Sequence, residues 1–271
     1  MTDADDILRR IGSDARASLE SLEVFAELES TNSWLLQQAK PPCGRFRAVI
    51  AEHQTAGRGR SDKVWLSPPG SGLCLSLAYT FAELPRYLPS LTLAIGAAIV
   101  SALEDLGAKD LALKWPNDLM AQGGKLGGIL TELQSGGEDG RSVVVGLGLN
   151  VDLPDSMRYT PPTSWTSKLT DLSACLPELP GRAGLTAAMV RSIVECIRQF
   201  ASEGFGPFHA TWQRYDWLEG KRWRVQQAQR CITGVAEGVG MDGSLLLRTN
   251  GGVERILSGS IERPAYGVAP G

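Results

Sequence analysis

The sequence has few residues of the kinds that build metal sites and disulfide frameworks. Among its 271 residues there are two histidines and five cysteines. No cysteine pair has CxxC spacing, and His53 and His209 are too far apart for an HExxH motif. An odd number of scattered cysteines favours reduced thiols over disulfides. We therefore expect neither a disulfide framework nor a zinc site.

The sequence also lacks a charge excess, a membrane-spanning run and a secretory signal. There are 27 Lys and Arg against 30 Asp and Glu, so the net charge is −3 and no overall basic field favours nucleic acid. The longest apolar stretch, residues 91–103, is too short to cross a bilayer. Acidic residues precede the first apolar ones, whereas a secretory signal starts with basic residues. These features predict a cytoplasmic protein.

The apolar pattern up to residue 219 predicts an α+β body. Residues 5–22 have helical spacing, and residues 91–106 and 185–200 are predicted to form helices with buried faces. Residues 155–163 carry little apolar signal and are expected to form a mobile loop. The predicted strands are 24–28, 46–52, 73–80, 112–115, 125–134 and 142–151. Together these elements predict a mixed β-sheet flanked by helices.

The pattern of apolar residues and glycines changes near residues 217–220. Beyond them, short strands separated by glycine-rich turns are predicted at 221–227, 231–237, 244–249 and 253–260. Such a series is typical of a small all-β barrel. The predicted domains are therefore a body of residues 1–219, with an N-terminal helix in 1–22, and a C-terminal barrel of residues 220–271.

The first motif with chemical content is Gly57-Arg58-Gly59-Arg60, which follows a predicted strand. Glycines let the backbone approach a ligand closely, and arginine side chains suit carboxylate and phosphate oxygens. Two cations on one loop make sense if two anions must be brought together. The alternatives are an exposed basic turn and a disordered segment that binds nucleic acid. The ordered-looking sequence that starts at Trp65 weakens the second alternative.

The second motif is Lys114-Trp115-Pro116-Asn117-Asp118, in which the proline ends a predicted strand. Because Asn and Asp are common in turns, a plain turn explains the motif. A polar cluster that faces nucleotide phosphates, with Asp118 available to a magnesium ion, explains it as well. This motif alone does not decide between the two interpretations.

The third motif, GGKLGGILTE at residues 123–132, places Lys125 between two pairs of glycines. A lysine at a glycine-bracketed turn can reach a phosphoryl group that the backbone also contacts. The alternative is an ordinary hairpin turn, since surface lysines are common. The motif is not a Walker loop, because no Ser or Thr follows Lys125.

The fourth motif is Gly146-Leu147-Gly148, which continues an apolar strand into Asn150. Glycines at alternate positions leave one face of a strand without side chains. That face could accept a flat ligand lying against the sheet, or it could pack tightly against a helix. The sequence is compatible with both.

Taken in order, these motifs resemble the catalytic domain of biotin–protein ligases. Ser30-Thr31-Asn32 and the arginine loop with Trp65 are part of the resemblance, which covers residues 24–151. It implies a main domain like that of class II aminoacyl-tRNA synthetases and an SH3-like C-terminal barrel. Larger members of the family carry an N-terminal DNA-binding domain. Only about 22 residues lie before the matched segment, which is too few for such a domain, so we expect a ligase without repressor function.

The resemblance implies three groups of site residues. Catalysis would depend on Lys125, Arg58 and Arg60. The residues implied for biotin are Ser30, Thr31, Asn32, Gln54, Arg58, Gly59, Arg60, Lys125 and Gly128. The residues implied for ATP are Lys63, Lys114, Asn117, Asp118, Asn150 and Trp165, with Asp118 also facing magnesium and Trp165 stacking on adenine.

The implied reaction joins biotin to a lysine of a biotin carboxyl carrier protein, with ATP and Mg²⁺. Biotin carboxylate would attack the α-phosphate of ATP, and Arg58, Lys125 and magnesium would screen the repulsion between the two anions. The resulting biotinyl-adenylate would acylate the lysine amine, so no enzyme nucleophile is needed. We expect no DNA or membrane partner. By analogy with the family, we expect a weak or ligand-dependent homodimer that forms through the main sheet.

Three other functions are compatible with parts of the sequence. A lipoate–protein ligase shares the fold and the adenylating chemistry, but the GRGR and KWPND motifs favour biotin. A non-catalytic nucleic-acid-binding module could use the arginine loop, although the acidic net charge of −3 opposes it. A decayed homologue could bind biotin without turnover, but the presence of Lys125 and both loop arginines argues against decay.

Overall fold

The structure, a computed structural model, describes residues 3–134, 141–159, 168–227 and 230–262. Its α-helices are α1 (Ala4–Arg10), α2 (Ser13–Ser18), α3 (Thr31–Gln37), α4 (Leu91–Asp105), α5 (Asp155–Tyr159), α6 (Arg182–Glu203) and α7 (Gly206–Tyr215). Its strands are β1 (Leu19–Leu28), β2 (Phe46–Gln54), β3 (Gly72–Thr80), β4 (Leu111–Lys114), β5 (Asp118–Ala121), β6 (Gly124–Leu133), β7 (Ser142–Asn150), β8 (Arg222–Gln226), β9 (Cys231–Val239), β10 (Leu245–Thr249), β11 (Gly252–Ile256) and β12 (Ser260–Glu262).

The main body is built on one seven-stranded sheet with the order β1-β2-β3-β7-β6-β5-β4. Strand β1 runs parallel to β2, and the other neighbours are antiparallel. Helix α4 packs against the sheet and against α6 and α7, while α1 and α2 pack against α6. The predicted α+β body with a mixed sheet flanked by helices is therefore confirmed.

The two faces of the sheet differ in side-chain size. On β3, Leu73, Leu75 and Leu77 are buried in the core with the helices. Because strand side chains alternate between faces, the residues between them, Cys74 and Ser76, point to the opposite face, where α3 packs. Small side chains on that face leave room above the sheet.

Helix α4 lies in the centre of the core. Leu91, Ile95 and Ile99 are at most 1% exposed. By length and composition, the surrounding segment 88–105 could cross a membrane. The apolar segment is therefore longer than the stretch of residues 91–103 identified from the sequence. Its packing against α6 and α7 explains the apolar composition as that of a core helix.

Two predicted elements of the main body were wrong. Residues 5–22 do not form one helix, because Gly12 breaks the helix with φ of 94° and the chain enters β1 at Leu19. The segment predicted as a mobile loop at 155–163 begins instead with helix α5, while residues 160–163 lie outside the described residues. The short strand β5 and the helix α7 were not predicted.

The C-terminal residues form a five-stranded antiparallel sheet with the order β11-β10-β9-β8-β12. The four predicted strands are present, and the last predicted segment divides into β11 and β12. Among the described strands, β11 and β12 do not pair with each other, so a closed SH3-like barrel stays a prediction. The indole N–H of Trp115 donates to the carbonyl of Gly243 at 2.9 Å and joins this sheet to the body.

Candidate active site

A cavity of about 650 Å³ opens above the sheet face that carries small residues. Its walls are formed by residues 30–32, 54, 58–66, 114–118, 125, 128–130, 146–148 and 259–262. Of the predicted site residues that the structure describes, all but Asn150 lie in these walls. The structure thus brings together residues that are scattered over most of the chain.

Polar side chains at the start of α3 form the floor of the cavity. Ser30 caps this helix, since its hydroxyl accepts from the backbone N–H of Ser33 at 3.4 Å. The backbone N–H of Thr31 donates to Gln54 Oε1 at 2.7 Å, and the Thr31 hydroxyl donates to the same oxygen at 3.0 Å. Gln54 is thereby held at the end of β2. The cap and these bonds place the predicted biotin residues on one rigid surface.

The two glycines of β7 make room for side chains of this protein. A Cβ atom at Gly146 would lie 2.3 Å from Asn32 Oδ1, and one at Gly148 would lie 2.5 Å from the indole of Trp65. Asn32 belongs to α3, so Gly146 fits the interpretation of tight helix packing. Both glycines also line the cavity, so close packing and ligand space coexist on this strand.

The arginine loop is an ordered hairpin. The backbone N–H of Gly59 donates to the carbonyl of Lys63 at 2.7 Å, and that of Trp65 donates to the carbonyl of Gly57 at 2.8 Å. A side chain at Gly57 would clash with the Trp65 carbonyl, 2.4 Å from its Cβ position. The glycine is therefore required by the close approach of the two loop arms.

The two loop arginines point to different walls of the cavity. Arg58 forms an ion pair with Glu132 on β6. Arg60 contacts Asn117 Oδ1 at 3.5 Å. Burial lowers the pKa of the Arg60 guanidinium, although the nearby charge of Asp118 opposes that effect. Arginine still remains charged near neutral pH, so both side chains bring positive charge to the cavity.

Lys125 lies on strand β6, in agreement with the predicted strand of residues 125–134. Both interpretations of the glycine motif had placed it on a turn. The turn before it is made by Gln122 and Gly123, which have positive φ angles of 49° and 72°. The Lys125 ammonium lies 2.6 Å from Asp118 Oδ1 and 5.8 Å from the centre of the Trp65 ring. The strand backbone, the carboxylate and the aromatic ring together fix this charge at the cavity wall.

The KWPND motif supplies a further wall. Lys114 is 9% exposed and its ammonium lies 5.6 Å from the ring centre of Trp217. Asn117 donates from Nδ2 to the carbonyl of Ile129 at 2.8 Å, which ties the motif to β6. The turn interpretation is correct for the position of Asn117, but Asp118 starts strand β5.

One predicted ATP residue, Asn150, does not line the cavity. Asn150 is 4% exposed and donates to the carbonyls of Lys125 and Thr170, at 3.2 and 3.0 Å. It therefore supports the backbone under Lys125 from outside the cavity walls. Trp165 lies outside the described residues.

Sequence reasoning missed several residues of the site. Glu132 and Ser76 contact predicted site residues directly, and residues 259–262 form part of the wall. Alternation along β6 could have indicated Glu132, because it shares a strand face with Gly128 and Leu130. No local signal could have indicated the contribution of β12.

Within the described residues, no group of three His, Cys, Asp or Glu side chains could hold a metal ion. The carboxylates that line the cavity are those of Asp62, Asp118 and Glu262. Magnesium commonly binds through substrate phosphates and one or two protein carboxylates. The arrangement therefore suits a magnesium ion that arrives with a nucleotide, with Asp118 as the nearest carboxylate to Lys125.

Comparison with known proteins connects this geometry to one family. A sequence model of the Biotin/lipoate A/B protein ligase family matches residues 24–150. The bifunctional ligase/repressor BirA of Bacillus subtilis is 34% identical over 240 residues, which are 87% of this chain and 71% of that protein. The biotin–[acetyl-CoA-carboxylase] ligase of Mycobacterium tuberculosis is 30% identical over 253 residues, which are 91% of this chain and 90% of that protein.

A solved structure is similar over nearly the same extent. The biotin protein ligase from Aquifex aeolicus in complex with biotin and ATP superposes with a TM-score of 0.76 at 28% identity. The superposition covers 90% of this chain and 99% of that one. Since relatives with at least 30% identity match most of the sequence, the chain belongs to the biotin–protein ligase family.

Proposed function

We propose that this chain uses ATP to activate biotin and transfers it to a specific lysine of a biotin carboxyl carrier protein. The observation that carries this proposal is the convergence of cations on one cavity. Arg58, Arg60, Lys114 and Lys125 come from three separate segments and all line it. Such a concentration of positive charge suits a reaction between two anions.

In the proposed first step, an oxygen of the biotin carboxylate attacks the α-phosphorus of ATP. The bond from that phosphorus to the bridging oxygen of the β-phosphate breaks, and pyrophosphate leaves with the electron pair. Lys125 and Arg58 offset the negative charge that accumulates near the phosphorus. Arg60 contacts the adenylate from the arginine loop. Positioning and charge stabilisation are the main resources for such a transfer.

The remaining site residues would bind the two substrates. Ser30, Thr31, Asn32 and Gln54 offer fixed polar groups for the biotin ring, and Gly59 and Gly128 leave space beside it. Lys63, Lys114, Asn117 and Asp118 would face the nucleotide, and Asn150 would act through the backbone of Lys125. Magnesium carried by the phosphates would neutralise part of their charge.

In the second step, the lysine amine of the carrier attacks the acyl carbon of biotinyl-adenylate and displaces AMP. The amine loses a proton and an amide bond forms. Because the adenylate is a mixed anhydride that water would hydrolyse, the ordered hairpin of residues 57–65 should also shield it. This route needs no nucleophile on the enzyme.

Pyrophosphate release tests the proposal most directly. The protein is incubated with ATP and magnesium, and biotin and lipoate are offered separately. We expect release with biotin, followed by labelling of an added biotin carrier domain. Release with lipoate alone would keep the chemistry and change the substrate. Release with neither acid would contradict an adenylating enzyme.

The assembly and the cellular location are part of the same proposal. Among the described strands, β1 has β2 as its single neighbour in the sheet, so we propose that weak homodimers form through the β1 edge. Sedimentation velocity with and without biotin and ATP would detect them. Five free cysteines fit a reducing cytoplasm. We place the domain boundary between α7 and β8, at residues 217–220.

A further inference from the structure

Glu132 does not line the cavity itself but contacts two residues that do, Arg58 and Asn32. Its Oε2 atom accepts from Arg58 Nη2 and also from Asn32 Nδ2, the latter at 2.8 Å. The side chains of Arg58 and Glu132 are 41% and 26% exposed. One carboxylate oxygen thus links the arginine loop to the first turn of α3.

From Asn32, a series of polar contacts extends across the floor of the cavity. Asn32 Oδ1 lies 2.6 Å from Ser76 Oγ, which lies 2.7 Å from Thr31 Oγ1. Thr31 in turn donates to Gln54 at 3.0 Å. A continuous polar chain therefore runs from the loop arginine through Glu132 to the end of β2. Residues predicted to contact biotin stand at both of its ends.

We propose that Glu132 is a positioning residue for adenylation, which holds Arg58 and Asn32 in the orientation that receives the biotin carboxylate. This inference rests on the proposed function. A guanidinium has five N–H donors, and Glu132 engages Nη2, so the other donors can face the substrate. Without the carboxylate, a long side chain on a surface loop samples many rotamers.

The opposite role is also physically conceivable. A carboxylate beside Arg58 could compete with the substrate carboxylate for the same guanidinium. In that case removal of the Glu132 charge would tighten biotin binding. The proposed positioning role predicts weaker binding instead, because the ordering of Arg58 and Asn32 would then have to occur during binding.

The test compares Glu132→Gln with a matched control, Glu237→Gln. Glu237 also pairs with an arginine, Arg248, from a strand position, and its side chain is 30% exposed. Arg248 does not line the cavity, whereas Arg58 does. Both substitutions remove one negative charge and one ion pair. The readout is biotin-dependent exchange of labelled pyrophosphate into ATP, which reports the first step alone.

We expect Glu132→Gln to raise the KM for biotin by about tenfold, since one charge-assisted hydrogen bond is lost, while kcat changes less. The control should retain the wild-type KM. In an Arg58→Ala background, Glu132→Gln should raise the KM clearly less than it does in the wild type, because only Asn32 then remains to be positioned. If Glu132→Gln melts at a much lower temperature than the control, the Glu132→Asp variant is tested in its place. A smaller rise in the KM for biotin is then expected.

An unchanged or lowered KM would overturn the proposal, and so would an additive effect in the Arg58→Ala background. In both cases the wild-type protein would still catalyse the exchange, so the role of Glu132 would be disproved and the proposed function would stand. Lack of exchange by the wild-type protein would instead overturn the proposed function and this role with it.

Discussion

At the scale of single residues, the position of Lys125 shows how a side chain can be held in place while it remains accessible to a substrate. Its ammonium contacts a carboxylate oxygen of Asp118 at 2.6 Å and faces the ring of Trp65. Its side chain remains 20% exposed toward the cavity. A mobile surface lysine would lose side-chain entropy when it bound a phosphate. Here most of that ordering is present before substrate arrives.

We expect Lys125→Ala to lower the rate of adenylate formation by about 100-fold or more, because one preorganised charge at the reacting centre is lost. The fold should persist, since the side chain packs at the cavity wall and not in the core. Pyrophosphate exchange and a thermal melt measure the two effects. Lys109→Ala, an exposed lysine outside the cavity, is the control. Near-normal exchange in Lys125→Ala would remove this lysine from the mechanism.

Gly148 gives a second prediction at the residue scale. A methyl group there would lie 2.5 Å from the Trp65 indole, so Gly148→Ala should displace the loop and destabilise the protein by about 1–3 kcal/mol. Gly184→Ala is the control, because its Cβ position meets no atom within 4 Å and it lies in α6, where alanine is favourable. Urea denaturation measures both variants. Equal stabilities would contradict the close packing.

At the scale of elements, the turn between β9 and β10 joins the two parts of the molecule. Within it, Asp242 accepts from the backbone and hydroxyl of Ser244, at 3.1 and 2.7 Å, and from Arg255 at 2.7 Å. Burial alone would raise the pKa of Asp242, but the hydrogen bonds from Ser244 and Arg255 outweigh it and lower the pKa to about 2. The ionised carboxylate therefore holds the turn together.

This shift predicts a pH dependence of stability. The folded-state pKa of Asp242 is about 2, below its ordinary value of 3.8, so its contribution is complete above that ordinary value and is lost as the pH falls toward 2. Asp242→Asn should therefore reduce the free energy of unfolding more at pH 7 than at pH 2.5. Denaturant titrations at both pH values measure the difference. An equal loss at both would argue against a stabilising role for the ionised form.

The elements differ in how well their sequence reveals them. Strands β3 and β7 were predictable because long apolar runs are bounded by turn residues. Strand β5 has four residues and β12 has three, which is too short for a periodic signal. The equally short β4 was predictable because Pro116 marks its end. Helix α7 buries Phe208 and Trp212 but has few other apolar positions. Its existence depends on packing against α4, which no local pattern records.

At the scale of the whole molecule, the sequence indicates the parts of the site but not their connections. Arg58, Lys125 and the KWPND motif stand out because glycines and charges cluster around them. Glu132 is one acidic residue among thirty, and its role depends on a loop that lies 74 positions away. Tertiary pairing at such separations creates the cavity, so its walls could be assigned only from the fold.

The bond from Trp115 to Gly243 gives a prediction at this scale. Trp115→Phe keeps a buried ring but removes the N–H, so the Gly243 carbonyl loses its partner at a cost of about 1–3 kcal/mol. Because the C-terminal sheet also lines the cavity through residues 259–262, we expect the KM for ATP to rise as well. Pyrophosphate exchange at varied ATP concentrations and a denaturant titration measure these effects.

Trp223→Phe is the matched control. Trp223 is 4% exposed and its indole donates to the carbonyl of Leu218 at 2.9 Å, a bond that does not connect the C-terminal sheet with the body's main sheet. We expect Trp223→Phe to lower the free energy of unfolding about as much as Trp115→Phe does and to leave the KM for ATP unchanged. Equal KM values in the two variants would show that the contact at Gly243 does not affect nucleotide binding.

The contribution of β12 to the cavity also has a consequence for protein synthesis. During translation the N-terminal part of the chain leaves the ribosome first. Residues 30–32, which form the floor of the cavity, therefore emerge long before residues 259–262, which form part of its wall. A nascent chain that has exposed both arginines and Lys125 still has a cavity that is open on one side. The chamber that the described residues enclose forms only after translation has passed residue 262, so a reactive anhydride would be sheltered only once the C-terminal sheet has been made.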